Sequence, residues 1–549
     1  MKKKMVSGLI SAVTVASMLA GCGAAPAAES TFHSAPATQT NDVKPVVESP
    51  TEVEVEYEVE YDKGGTENFF VYDESCATET ADCAEYPVVI DYAPQSGETY
   101  AQISENKFQS VKDQPLSTFS ADVDTASYAN IRRMINYGYE PEWIDKDAVR
   151  IEEMLNYFSY DYESPKGDEP FSVNTRIAKC PWSEDSYLMM LGLQTEEIDF
   201  SKAPASNLVF LIDVSGSMYD EDKLPLLQKA FTMLAQNLTE KDRVSIVTYA
   251  GDDEIVLKGA YGNDIDTIAH AIDSLEAGGS TNGAAGICTA YELAERYFIE
   301  GGNNRVILAT DGDLNVGVTS NEGLEDLISS KKNSGVFLSV LGFGTGNIKD
   351  DKMELLADKG NGNYSYIDSL KEAKKVLVKE MGATLVTVAK DVKFQLEFND
   401  DVVDSYRQIG YENRAMAAED FDDDTKDAGE IGAGHSVTVL YEIKLAGKSS
   451  RSEKAETWTT LHIRYKEPDK DTSKELIYNI GGEDYSERVN GDIAFAAAVA
   501  EFGMILRDSD YKGDSTCDSV LELLEKSNIR GDEYKEEFVQ LVKAYQDLL

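Results

Sequence analysis

Between residues 206 and 387, short apolar runs alternate with apolar stripes at three- and four-residue spacing. Leu208–Ile212, Val244–Tyr249, Arg305–Thr310 and Val336–Phe343 have strand length and no sustained polar face. Such runs predict strands covered on both sides. Leu227, Ala230, Phe231, Leu234, Ala235 and Leu238 form a helical stripe behind Pro225, which a first turn tolerates. Ile265, Ile268, Ile272 and Leu275 mark another helix, and Ile287, Ala290, Tyr291, Ala294 and Phe298 a third. Asn321–Lys332 and Leu370–Met381 read as helices, and Glu254–Ala260 as an edge strand. Alternating β and α units predict an α/β domain over 206–387 with a doubly wound, mostly parallel sheet.

The period changes on either side. From 388 to 480, KFQLEFN, SVTVLYEIKL, TWTTLHIRYK and ELIYNI show partial two-residue alternation and predict a β-sandwich module. Phe171–Cys180 and Tyr187–Glu197 read as two strands placed to complete that sandwich, with the α/β domain inserted between them. They belong to an α+β extension over 106–205. Its first helix carries Ile131, Met134 and Ile135 on one face and stops at Gly138, before Pro141; its second runs from Lys146 to Phe158. Asp122-Val123-Asp124 is similar to the phosphatase pattern DxDx(T/V). Ala126 stands where that pattern requires Thr or Val, so the expectation is that Asp124 or Thr125 caps the first helix. Residues 481–549 read as helical, with Ile493–Leu506 buried. The tripeptide Arg530-Gly531-Asp532 falls at the start of the last helix, with Asp532 as its cap.

Residues 1–22 read as an export signal. Lys2, Lys3 and Lys4 precede a short apolar stretch, Leu9–Ala20, too brief to span a bilayer comfortably. The stretch ends in Leu19-Ala20-Gly21-Cys22, which resembles a bacterial lipobox. The resemblance implies lipid modification of Cys22 and a mature chain tethered to the bacterial membrane, facing outward in the cell envelope. Residues 23–105 have the composition of a disordered acidic linker. A flexible chain of that length reaches roughly 50 Å root-mean-square. The whole chain carries 100 acidic and 51 basic residues, a net charge of −49. That argues against a nucleic-acid partner or an anionic lipid surface, both of which require Lys and Arg, and favours cations. Cys76 and Cys83 are near enough to close a small loop in an exported protein, while Cys180, Cys288 and Cys517 have no ligand spacing and read as buried thiols.

The chemistry gathers after the first buried strand, in NLVFLIDVSGSMYD. Asp213, Ser215 and Ser217 stand at i, i+2 and i+4, so an extended or looped backbone aims one carboxylate and two hydroxyls at one point. Thr281, in the loop GGSTNG, and Asp311, after the strand RVILATDGD, occupy matching places downstream. This trio with Thr281 and Asp311 resembles the metal-ion-dependent adhesion site of von Willebrand factor type A domains, whose fold is Rossmann-like. FSADVDTASYANIRR resembles the N-terminal extension of bacterial lipoproteins of that family, so the resemblance runs from about residue 105 to the C-terminus.

The five donors are all hard oxygens, without His or Cys. That selects Mg²⁺, with Ca²⁺ or Mn²⁺ as alternatives, over zinc or copper. The family pattern implies that Ser215 and Ser217, and in some states Thr281, contact the ion, and that Asp213 and Asp311 reach it directly or through water; Asp313 reads either as an outer neighbour or as simply exposed. It also implies a remaining position for a Glu or Asp carboxylate of a protein partner, in adhesion or in envelope complex assembly. Two other readings compete: a metal-dependent surface hydrolase and a purely structural metal site. The hydrolase reading finds no GxSxG elbow, no local Ser–His motif and no Walker A lysine after the Gly-rich loop. The expectation is a binding protein rather than an enzyme.

Overall fold

The computed structural model describes residues 97–549 apart from 168, 199–202, 252, 280–282, 313–326, 329, 332–333, 381–384, 448–452, 454 and 469. The signal, Cys22, the Cys76–Cys83 pair, Thr281 and Asp313 lie outside the described residues.

In chain order, the extension opens with strands β1 (Gln109–Ser110) and β2 (Leu116–Ser120), then helices α1 (Ala126–Asn136) and α2 (Ile151–Asn156). The second helix is shorter than the sequence predicts, because Lys146–Ala148 forms a separate 3₁₀ turn capped by Asp145. Strands β3 (Phe171–Lys179) and β4 (Tyr187–Thr195) follow. The α/β domain contributes β5 (Ser206–Asp213), α3 (Leu224–Ala235), β6 (Arg243–Tyr249), β7 (Asp253–Tyr261), α4 (Ile265–Asp273), α5 (Gly283–Arg296), β8 (Asn303–Thr310), β9 (Phe337–Phe343) and β10 (Tyr364–Ile367). Helix Asp350–Lys359 and strand β10 are absent from the periodicity reading. The apolar residues of the helix are few and interrupted by charge, and the strand is only four residues long. The expected helix from Leu370 ends at Lys374 and continues as a π turn, Lys375–Lys379. The sandwich adds β11 (Thr387–Phe398), β12 (Val403–Ile409), β13 (Gly429–Gly432), β14 (Ser436–Leu445), β15 (Thr459–Lys466) and β16 (Ser473–Ile480). Helices Asp492–Arg507, Cys517–Glu525 and Glu533–Leu548 close the chain.

The α/β sheet has the order β10-β9-β8-β5-β6-β7, with only β7 antiparallel. Every residue of β5 is buried. Leu208, Phe210 and Ile212 pack with Leu227 and Phe231 of α3, whereas Val209 and Leu211 face Ile287, Ala290 and Tyr291 of α5. This two-sided burial is why β5 has no polar face. The chain turns to β6 on one side of β5 and reaches β8 on the other. The switch point therefore lies beside β5, where open α/β sheets place their ligands.

The sandwich consists of one sheet ordered β1-β12-β14-β4-β3 and a second ordered β13-β11-β15-β16, with β2 also on β11. Strand β4 pairs antiparallel with β14 from Tyr187 to Gln194, so the α/β domain is inserted between two strands of the flanking module. Phe394, Trp458, Leu461 and Tyr441 fill the space between these sheets. A helical core of α1, α2 and the three C-terminal helices covers the outer face of β4 and β14, through Leu188, Met190 and Leu440. Asp532 caps the last helix, its carboxylate accepting from the Tyr534 and Lys535 amides, as the reading of Arg530-Gly531-Asp532 requires. Cys180 and Cys517 are buried free thiols, and Cys288 is half-buried.

Two expectations need correction. Asp124 does not cap α1, and Thr125 makes no capping bond with its side chain. Instead Asp122 and Asp124 face Arg414 at 3.2 and 3.3 Å, with Glu354 at 3.4 Å and Asp358 at 2.5 Å. One guanidinium from the sandwich thus joins the extension to the α/β domain. The linker also ends before residue 105. The Gly97 and Thr99 amides donate to the Gly346 and Ile348 carbonyls at 2.8 and 2.9 Å, so ordered packing is in place from Gly97. Four consecutive residues cannot show a hydrophobic period, which is why the sequence pattern misses them.

Candidate metal centre

Asp213 ends β5 at the carboxyl edge of the sheet and is fully buried. Its Oδ1 accepts the Ser215 amide at 2.9 Å, which bends the chain out of the strand. Its Oδ2 accepts the Tyr249 hydroxyl at 3.2 Å and the Thr310 hydroxyl at 3.1 Å. Gly216–Tyr219 then coils as a 3₁₀ turn that brings the Ser215 and Ser217 hydroxyls to 3.0 Å from each other. The i, i+2, i+4 spacing therefore converges as expected, through a turn rather than an extended segment.

The Gly-rich loop begins against this turn. The Gly278 amide donates to the Val214 carbonyl at 2.7 Å, and the Gly216 amide to the Gly279 carbonyl at 3.2 Å. Asp311 follows β8, which neighbours β5 in register, and is buried. The Lys223 ammonium, at the start of α3, lies 3.1 Å from Asp311 Oδ2. Gly312 has φ of +100°, and a Cβ there would stand 2.5 Å from the Lys349 amide nitrogen. Glycine is required at that close approach.

Lys223, Tyr249 and Thr310 escape sequence reasoning. Tyr249 is the register partner of Asp213 across β5 and β6, and no local motif announces it. Burial pushes the Asp213 carboxyl up to about 6, and the charge of Asp311 adds to this. The Ser215 amide and the Thr310 hydroxyl pull it the other way. Burial also raises the Tyr249 hydroxyl, which therefore stays a hydrogen-bond donor to Asp213.

Among the described residues no three Asp, Glu, His or Cys side chains cluster as a metal site of their own. The centre offers two carboxylates and two hydroxyls. That set fits a hard divalent cation, which would relieve the penalty on burying Asp213 beside Asp311. One side is open: Ser217 is half-buried, Gly216, Asp220 and Glu221 are exposed, and Tyr219 is 79% exposed.

The model for the von Willebrand factor type A domain matches residues 207–380, one described as von Willebrand factor matches 94–190, and one described as the C-terminal part of uncharacterized protein YfbK matches 383–548. Uncharacterized protein YfbK of Escherichia coli (strain K12) is 42% identical over 468 residues, covering 81% of this chain and 80% of that protein. The chain belongs to the YfbK family of von Willebrand factor type A proteins. Human inter-alpha-trypsin inhibitor heavy chain H3 is 27% identical over 164 residues, 28% of this chain and 18% of that one. Among solved structures, von Willebrand factor type A from Catenulispora acidiphila covers 70% of this chain and 91% of its own at 15% identity and a TM-score of 0.41. Von Willebrand factor type A domains generally mediate protein–protein interaction and commonly bind a divalent metal ion. In this YfbK-family chain the sheet edge that carries Asp213 and Asp311 is the place where those family properties have matching donors.

Proposed function

We propose that this chain is a membrane-anchored lipoprotein of the cell envelope whose von Willebrand factor type A domain binds Mg²⁺, or alternatively Ca²⁺ or Mn²⁺, and through it a Glu or Asp carboxylate of a protein partner. The observation that carries the reading is that Asp213, Ser215 and Ser217 meet at the switch point beside an open rim, with Asp311 buried at the end of the neighbouring strand. Ser215, Ser217 and Asp213 would hold the ion, with Thr281 and Asp311 completing the set. The bound ion would supply a Lewis-acidic position that a partner's carboxylate fills with opposite charge. Tyr249, Thr310 and the Ser215 amide fix the Asp213 carboxylate, so its oxygens are oriented before any ion arrives. The role is binding, adhesive or assembling, rather than catalysis. Among the described residues, the Ser217 hydroxyl meets the Ser215 hydroxyl at 3.0 Å. Anchoring rests on Leu19-Ala20-Gly21-Cys22.

The test is crosslinking capture from native envelopes in Mg²⁺, in EDTA and with Asp213→Ala, alongside calorimetric titration of Mg²⁺. A partner captured by the wild type in Mg²⁺ and lost in the other two conditions is the expected result. The same partner captured equally in all three removes the proposal. Cys22→Ala is expected to release the protein from the membrane fraction, and its retention there would refute the anchor.

A further inference from the structure

The segment Gly97–Tyr100, bridged in parallel from Thr99 to Lys349, lies along the loop that walls the candidate metal centre. The Gly97 amide donates to the Gly346 carbonyl at 2.8 Å, and the Thr99 amide to the Ile348 carbonyl at 2.9 Å. Lys349 Nζ donates to the Gly97 carbonyl, and the Thr99 hydroxyl to Asp351 at 2.6 Å. A Cβ on Gly97 would stand 2.9 Å from the Gly346 carbonyl oxygen, so the approach is close. Glu98 turns inward, with 3% of its side chain exposed. Its Oε1 accepts the Gly346 amide at 3.1 Å and Arg133 Nη1 at 2.8 Å, and its Oε2 accepts Arg133 Nη2 at 3.0 Å. Arg133 is fixed in α1 by Asn130, whose own amide donates to the Tyr100 hydroxyl.

The same loop reaches Asp311 through two of its neighbours, Gly312 and Lys223. Asn347, Ile348 and Lys349 form the backbone wall against Gly312, the residue after Asp311. Gly344, with φ of +72°, seats the methylenes of Lys223, whose ammonium holds Asp311. Two contacts therefore connect the loop to one carboxylate, and one buried glutamate connects the loop to α1.

We propose that Glu98 is a positioning residue for the metal centre: with the Gly97–Tyr100 segment, it sets the Gly344–Lys349 loop and through that loop the place of Asp311. The proposal rests on the metal reading above only for its effect on affinity. Its structural part stands without an ion. The segment lies within the span expected as linker, 23–105.

The test uses the full chain with Glu98→Ala, Glu98→Gln and Thr99→Pro, the last removing the amide that Ile348 accepts. Glu412→Gln, which weakens the buried pair with Arg507 elsewhere, serves as the comparison. Amide hydrogen exchange is measured without metal over 306–312 and 344–349, and Mn²⁺ affinity by calorimetry. The Glu98 and Thr99 variants are expected to speed exchange in both segments and weaken Mn²⁺ binding about tenfold, the low end for a residue that orients a ligand. Glu412→Gln is expected to do neither. Unchanged exchange over 306–312 in the Glu98 variants and Thr99→Pro overturns the proposal, even if 344–349 loosens. A wild type that binds no Mn²⁺ refutes the metal reading instead, and the exchange result still decides the role of Glu98.

Discussion

Lys223→Met removes one charge from the centre while keeping the chain that packs on Gly344. The Lys223 side chain is 5% exposed, and Asp311, 3.1 Å from its ammonium, is 0% exposed. Removing one partner of a buried pair costs about 3–5 kcal/mol, because the remaining charge is left uncompensated. That cost applies in full to the metal-free protein. A divalent ion gives Asp311 a second cation, so part of the cost is absent from the metal-bound state. Linkage then requires tighter metal binding in the variant by the recovered part. If half of the lower figure is recovered, about 1.5 kcal/mol, the affinity for Mg²⁺ rises roughly tenfold. Urea unfolding in EDTA and in saturating Mg²⁺ measures the two costs, and calorimetric titration measures the affinity. Equal destabilisation with and without Mg²⁺, together with an unchanged or weaker affinity, would show that Asp311 does not feel the ion and would refute the reasoning.

Gly312→Ala is expected to destabilise by about 1–3 kcal/mol through strain at its positive φ and to weaken Mg²⁺ binding. Gly301→Ala, where φ is +70° and a Cβ meets nothing within 4 Å, is expected to leave Mg²⁺ affinity unchanged; calorimetry on both variants checks the pair. Arg414→Met strands Asp122, Asp124, Glu354 and Asp358 and is expected to cost about 3–5 kcal/mol at neutral pH. Burial already raises the carboxyls of Asp124, Glu354 and Asp358, so their protonation as the pH falls should recover part of that loss, and unfolding at pH 7.5 and 5 tests it. Burial, with the nearby Lys375 and Arg305 charges, lowers His435 from 6.5 to about 4. The unfolded chain therefore takes up a proton that the folded chain refuses. The stability contributed by neutral His435 is full above pH 6.5 and lost as pH falls toward 4, by up to about 3 kcal/mol at 1.4 kcal/mol per unit. His435→Gln should flatten the unfolding profile across that window, and an unaltered slope would count against it.

Much of the fold was legible because burial on two sides leaves its mark on every position of a strand. Strand β5 has no polar face, and α3 shows its stripe behind Pro225, so both follow from local pattern. The insertion of the α/β domain was legible as well, since strands read before residue 200 and after residue 388 pair as β4 with β14. Helix Asp350–Lys359 was not, because its burial serves charge as much as packing. Asp350 and Glu354 face Arg150, and Glu354 also faces Arg414. The misreading of Asp124 has the same origin, since a carboxylate before a helix looks like a cap until a distant arginine claims it.

The sequence by itself determined the identity and order of the oxygen donors, Asp213, Ser215, Ser217, Thr281 and Asp311, because donor chemistry is a property of the side chains. It also determined which strands end beside them, because apolar runs and their breaks are local. The tertiary structure alone decided what surrounds those donors: Tyr249 and Thr310 on Asp213, Lys223 on Asp311, and Glu98 behind the loop that holds Asp311. Each of these contacts joins residues far apart in the chain, through sheet register or the packing of separate modules. Such contacts leave no period in the sequence, because their energy depends on distance in space and not on separation along the chain.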